Sequence, residues 1–158
     1  MAKKNKKIPF YLSVATIALA AIAILTIVMP AIVWDKMEQA YSGLEVTFGC
    51  KEEIVGKEVE VLKFSFMNFL PYLLLVGGIV LTVMNLKGGS GLFKIVSAAC
   101  FVVAAVLFFM VVGNTVPNSD YVTGEELKEV FEMGAGAIIG AICSILAAGV
   151  SVFNRIRK

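Results

Sequence analysis

The chain has 158 residues, of which 59% are hydrophobic and 16% charged, with a formal net charge of +2 and a mean hydropathy of +0.88. That balance excludes an ordinary water-soluble domain and gives no basic surface for nucleic acid; the first partner it implies is a lipid bilayer. With no histidine and no CxxC pair, imidazole acid–base catalysis and histidine- or cysteine-built zinc sites are excluded, and no cofactor motif or catalytic residue is expected.

Four stretches carry no Asp, Glu, Lys, Arg or His: residues 8–34, 64–86, 95–119 and 133–154. Each is long enough to cross a hydrocarbon core of about 30 Å at about 1.5 Å rise per helical residue. The expected membrane helices are residues 9–34, 68–86, 94–113 and 133–153, with outer loops 35–67 and 114–132. The first apolar run is too long for the h-region of a signal peptide, about 7 to 15 residues, so an uncleaved helix is expected. Pro9 suits a first helical turn, and Pro30 is expected to bend or loosen the last one.

In the first outer loop, Leu44, Val46, Phe48 and Cys50 alternate with Glu45, Thr47 and Gly49, which predicts a strand with one apolar face. A second strand is expected at residues 58–62, with Gly56 in the turn, and the apolar phase shift after Val61 predicts a bulge or a strand end. The phase of Cys50 favours burial on the hairpin's apolar face over an intermolecular disulfide or a reactive thiol. Glu45, Glu52, Glu53, Glu58, Glu60 and, in the last loop, Asp120 form a candidate acidic recognition surface, with plain solvation as the simpler reading.

Asn68 is the most polar residue of the second span and is expected to cap it ahead of Pro71, with a substrate contact as the alternative. The connection "KGGSGLFK" lacks phosphate-loop spacing and reads as a cytoplasmic turn whose Lys87 and Lys94 lean on anionic headgroups. Cys100 and Cys143 read as small apolar side chains of the third and fourth helices. In the last loop, Thr123 and Glu126 match a capping box, after which Leu127, Val130 and Phe131 share a face; the fourth helix is expected to begin near Gly124. Along that helix Gly136, Gly140, Ser144 and Ala148 recur every four residues, a groove that admits a close helix backbone from this chain, from a second copy or from another membrane protein. Gly77 and Gly78 offer a smaller notch on the second helix.

Of the basic residues, nine fall in the two tails and the second connection, without an acid among them, against five in the two outer loops, where twelve acids lie. By the positive-inside rule both termini are cytoplasmic, in the cell membrane. The fold class this predicts is an all-α membrane protein: one domain, residues 1–158, as an up-down antiparallel four-helix bundle with a small extracellular β-hairpin.

Trp34 at the start of the first outer loop, then Gly43 and Leu44 ahead of Cys50, together with four helices and inside termini, resemble the claudin-like tetraspan proteins. In that family a second tryptophan and a disulfide mark this loop; here Glu45 stands at the tryptophan position and Cys50 has no second outer cysteine. In style the sequence also resembles small bacterial four-helix integral membrane proteins. The function expected is a non-enzymatic partner-binding or structural membrane module. The alternatives are a subunit of an oligomeric pore or transporter and, further back, an enzyme working through outer carboxylates such as Glu52 and Glu53.

Overall fold

The computed structural model describes residues 7–34, 38–54, 56–118 and 124–156. The chain is mostly helical, and four of its helices are long and apolar enough to cross a membrane: Lys7–Val28, Phe66–Leu86, Leu92–Phe109 and Ala135–Ile156. The first of these is α1 (Lys7–Leu25) continued by a 3₁₀ turn, Thr26–Val28. The sequence reading carried this helix to Trp34, and the structure stops it earlier. Met29, the residue before Pro30, is held extended at φ −89° and ψ 159°, as the proline ring requires of its predecessor. The apolar run then continues as β1 (Pro30–Trp34), whose Ala31 and Ile32 are buried.

β1 is the middle strand of a three-stranded sheet, between β2 (Gln39–Ser42) and β6 (Glu132–Met133), both antiparallel to it. Next comes α2 (Gly43–Phe48), where the alternation had suggested a strand. A capping box decides for helix: Ser42 Oγ accepts from the Glu45 backbone N–H at 3.3 Å, and the Glu45 carboxylate accepts from Ser42 N–H at 2.7 Å. Gly43, Val46 and Thr47, at helical spacing, are the buried face. A side chain at Gly43 would lie within 3 Å of Ile27 backbone and the Tyr72 hydroxyl, so glycine lets the first turn of α2 touch the end of α1.

A hairpin forms, but its first strand is β3 (Cys50–Ile54), which lies in the stretch expected to connect the two strands; only β4 (Lys57–Lys63) falls where a strand was expected, and the turn passes through Gly56 at φ 73°. Cys50 faces Leu62 and Lys51 faces Glu60, so Val61 is the extra residue of a bulge where the apolar phase shifts. A two-strand ribbon is marginal alone; here β4 also pairs with β5 (Val116–Pro117), giving a second three-stranded sheet. Sheet content thus exceeds the one hairpin expected, because segments on both sides of the long helices add strands.

The remaining long helices are α3 (Phe66–Leu86), α4 (Leu92–Phe109) and α7 (Ala135–Ile156); α5 (Val111–Asn114) and α6 (Gly124–Val130) are short. The expected third span therefore breaks at Met110, between α4 and α5. The helix near Gly124 is α6, separated from α7 by β6 instead of running into it. The capping-box residue Thr123 lies outside the described residues. Of the face expected on this segment, Leu127 and Phe131 are buried and Val130 is packed beside them.

Among the long helices, α1 packs on α3 and α7, and α4 packs on the same two. Their interior holds Leu75, Phe101, Ala104 and Ala141, with Tyr72 and Phe108 edge-on at 5.3 Å between centroids. A second core lies between helix ends and sheets, built on Ile32, Tyr41, Val46, Leu62 and Phe131.

Candidate functional site

Buried polar side chains gather at the two ends of the long helices. At the sheet end, Ser65 is the N-cap of α3 and accepts from the Asn68 backbone N–H at 3.3 Å. Asn68 is therefore not the cap; its side chain reaches out of the helix. Its Nδ2 donates to the Val46 carbonyl and to Thr115 Oγ1, both at 3.1 Å, while Thr47 Oγ1 donates to the Asn68 carbonyl at 3.3 Å. Ser65 Oγ donates to the Asn114 carbonyl at 2.6 Å, and Asn118 Nδ2 to the Glu60 carbonyl at 2.8 Å. These bonds sew α2, α3 and β4 to the segment after α4 with neutral donors.

The candidate acidic surface divides into three. Glu45 is occupied by the capping box. Glu52, on the inner face of β3, accepts from the Tyr41 hydroxyl at 2.8 Å. Glu53 faces Glu58 and Lys51 faces Glu60 across the hairpin, and all four are exposed on one face. Asp120 lies outside the described residues. Burial first, then the hydrogen bond and charge of Glu52, push the Tyr41 phenol well above its ordinary range. Burial, then the charge of Glu45, push the Cys50 thiol up to about 11, which removes the thiolate at neutral pH.

On α7, Gly136, Gly140, Ser144 and Ala148 are all buried within this chain. A side chain at Gly136 would meet Met29 and Pro30, and one at Gly140 would meet Thr26 and the Phe108 ring. Gly78 lies under Phe101, whereas Gly77 faces open space.

The same buried face of α7 runs on through Ser151 and Asn154 to the end remote from the sheets, and there the groove of small residues becomes polar. Lys94 and Ser97 on α4 meet Ser151 and Asn154 on α7, both pairs spaced by three so that each shares a helix face. Lys94 is only 6% exposed. Its ammonium donates to the Asn154 Oδ1 at 3.1 Å and carbonyl at 3.3 Å. Asn154 Nδ2 in turn donates to Ser13 Oγ at 2.9 Å and the Pro9 carbonyl at 3.1 Å, which brings in α1. Ser97 and Ser151 hydroxyls lie 3.1 Å apart, and each donates to the Lys94 carbonyl.

A cleft of about 560 Å³ opens beside this knot. Pro9, Phe10 and Ser13 of α1 form one wall, Asn85 and Leu86 of α3 another, and the glycine turn and Lys94 close it. The sequence reading put Lys94 at the boundary of the third span, leaning on anionic headgroups; the structure buries it in the first turn of α4. The signal was available in Ser13, Ser97, Ser151 and Asn154, polar residues at the matching ends of three apolar runs. Comparison of the chain with protein-family models, with curated proteins and with solved structures finds no match.

Proposed function

We propose that this chain is a multi-pass cell-membrane protein with cytoplasmic termini that catalyses no reaction and serves as a partner-binding module. Its long helices form an antiparallel bundle that holds a stiff layer of sheet in the outer medium. The observation that carries this reading is the set of buried side-chain bonds, centred on Asn68, that fixes the sheets to the helix ends. Breaking these bonds would leave the buried Nδ2 groups of Asn68 and Asn118 without acceptors, so the network favours one arrangement of the segments it joins. The exposed face of Lys51, Glu53, Glu58 and Glu60 is then offered in one geometry to a partner bearing basic groups.

Half-exposed Val76, Val80, Val102, Val106, Ile142 and Leu146 along the long helices support lipid as their surroundings. Nine basic residues on one side against five on the other support the orientation. An oligomeric pore is the second reading. Leu75, Phe101, Ala104 and Ala141 fill the space between the four helices, so a pore would have to run between copies. The likeness to claudin-like tetraspan proteins is taken here as one of architecture.

A photo-crosslinker placed at Glu58 in intact cells tests the module. The expected result is one stoichiometric product, absent when the crosslinker sits at lipid-facing Val102 and reduced by Glu53→Lys. No product at Glu58, together with unitary ion conductance of the purified chain in liposomes, would replace this reading with the pore.

A further inference from the structure

One patch of the sheet end is apolar and open, where α2, β4 and α3 meet. The rings of Phe48, Phe64 and Phe69 form a triangle, with centroids 5.8, 6.2 and 6.5 Å apart, yet Phe48 is 54% and Phe64 52% exposed. Leu44, one turn before Phe48 on α2, is exposed beside them, as are Phe66 and Met67 in the first turn of α3. The rings are held in place by backbone. Gly49 has φ 89°, and the Leu62 carbonyl stands where its side chain would be, so the end of α2 closes onto β4. The Ser65 N–H donates to the Thr47 carbonyl at 2.8 Å and Asn68 Nδ2 to the Val46 carbonyl at 3.1 Å, which ties the same turn of α2 to the start of α3.

The surroundings of the patch follow from α3. Phe66, Phe69, Leu73, Val76 and Val80 fall on one face of that helix, away from the buried Asn68, Tyr72, Leu75 and Gly78. The stripe contains no polar residue, and all of it is exposed except half-buried Phe69. The aromatic triangle is therefore the sheet-side end of the stripe that Val76 and Val80 turn toward lipid. Val76 is the middle residue of α3. At about 1.5 Å per residue Phe66 lies about 15 Å from it along the axis, half of a hydrocarbon core of about 30 Å. That height is the boundary between acyl chains and headgroups, where phenyl and leucyl side chains on one face of a segment insert.

We propose that α2 and the aromatic triangle form a lipid-docking surface, with Leu44, Phe48 and Phe64 inserted among the acyl chains just below the headgroups of the outer leaflet. The surface rests on the membrane-spanning reading given above. It divides the outer layer into a side seated in lipid and the charged face of Lys51, Glu53, Glu58 and Glu60 in water, and so sets the height at which that face meets a partner. Contact through apolar rings depends on buried area and selects no headgroup.

The test is tryptophan fluorescence of the full chain in phosphatidylcholine vesicles. Trp34, the one tryptophan of the chain, is replaced by Phe, and Phe48→Trp, Phe64→Trp, Val76→Trp or Lys57→Trp is added singly. The quenchers are iodide on both sides of the vesicle and phosphatidylcholine brominated on its acyl chains, either near the glycerol or near the chain ends. Lys57→Trp, in the hairpin turn, is expected to be quenched by iodide alone, and Val76→Trp by bromine near the chain ends. Phe48→Trp and Phe64→Trp are expected to emit to the blue of Lys57→Trp, to lose most emission to bromine near the glycerol and to be spared by iodide; Phe64→Trp decides the matter if Phe48→Trp does not fold. Iodide quenching of both equal to that of Lys57→Trp overturns the proposal. Protection of both from iodide and from bromine also overturns it, because protein, a second copy or another chain, then covers the cluster. A Val76→Trp chain that no brominated lipid quenches would instead defeat the membrane reading itself, and the docking surface with it.

Discussion

The two polar ends of the helices solve different problems. At the sheet end, Asn68, Thr47, Ser65 and Asn118 are neutral and bond mostly to backbone carbonyls of other segments. At the other end, Lys94 brings a full charge into a knot of side chains from three helices, and an open cleft lies beside it. Neutral groups suffice where the task is to fix one segment against another, because each satisfied bond lifts a modest desolvation penalty. A buried ammonium carries a much larger penalty, and the bonds of Lys94 to the Asn154 side chain and carbonyl offset part of it.

The contrast breaks first at Asn68. Asn68→Leu removes both side-chain bonds and leaves the Val46 carbonyl and Thr115 hydroxyl short of a donor, an expected loss of about 2–4 kcal/mol, read from thermal unfolding in detergent. Protection of backbone amides in α2 should fall with it, while amides near Lys94 keep theirs. Gly140→Leu is expected to cost about 1–3 kcal/mol by overpacking against Thr26 and Phe108. Unchanged stability and assembly there would mean that α7 does not pack closely on its neighbours. At the charged end Ser151→Ala removes one bond to the Lys94 carbonyl, an expected loss of about 1 kcal/mol.

Smaller effects sharpen the sheet end. The fold favours the protonated Cys50 thiol and Tyr41 phenol, whose pKa values it raises. Their stabilisation is fully present below pH 9, the ordinary thiol value, and is lost as pH rises through about 11 and beyond. Tyr41→Phe should flatten the alkaline decline of the melting temperature, and Cys50 should react slowly with alkylating agents at neutral pH. Glu53→Lys, on the exposed face, should change stability by no more than about 0.5 kcal/mol while altering partner crosslinking.

The long apolar helices were legible because uncharged runs of that length have few other solutions. Segments at their edges were harder. Pro30 marked the end of α1, yet the apolar run passes straight from helix into β1, and hydropathy alone does not separate a buried strand from a helix. In α2 the alternation of Leu44, Val46 and Phe48 masked the helical set Gly43, Val46 and Thr47; the deciding signal, Ser42 with Glu45 three residues on, was in the sequence. The role of Asn68 depends on Val46 and Thr115, far from it in the chain, so a local cap was the nearer inference. The burial of Lys94 was missed for a similar reason, since Asn154, which its ammonium bonds, lies 60 residues further along the chain.

The central claim is that the hairpin turn and the glycine turn lie on opposite sides of a membrane. Single cysteines introduced as Lys57→Cys and Lys87→Cys, in a background with Cys50, Cys100 and Cys143 replaced, report it through a membrane-impermeant maleimide on intact cells. The expected result is labelling of the Lys57→Cys protein from outside and of the Lys87→Cys protein only after permeabilisation. Labelling of both from the same side would contradict the account.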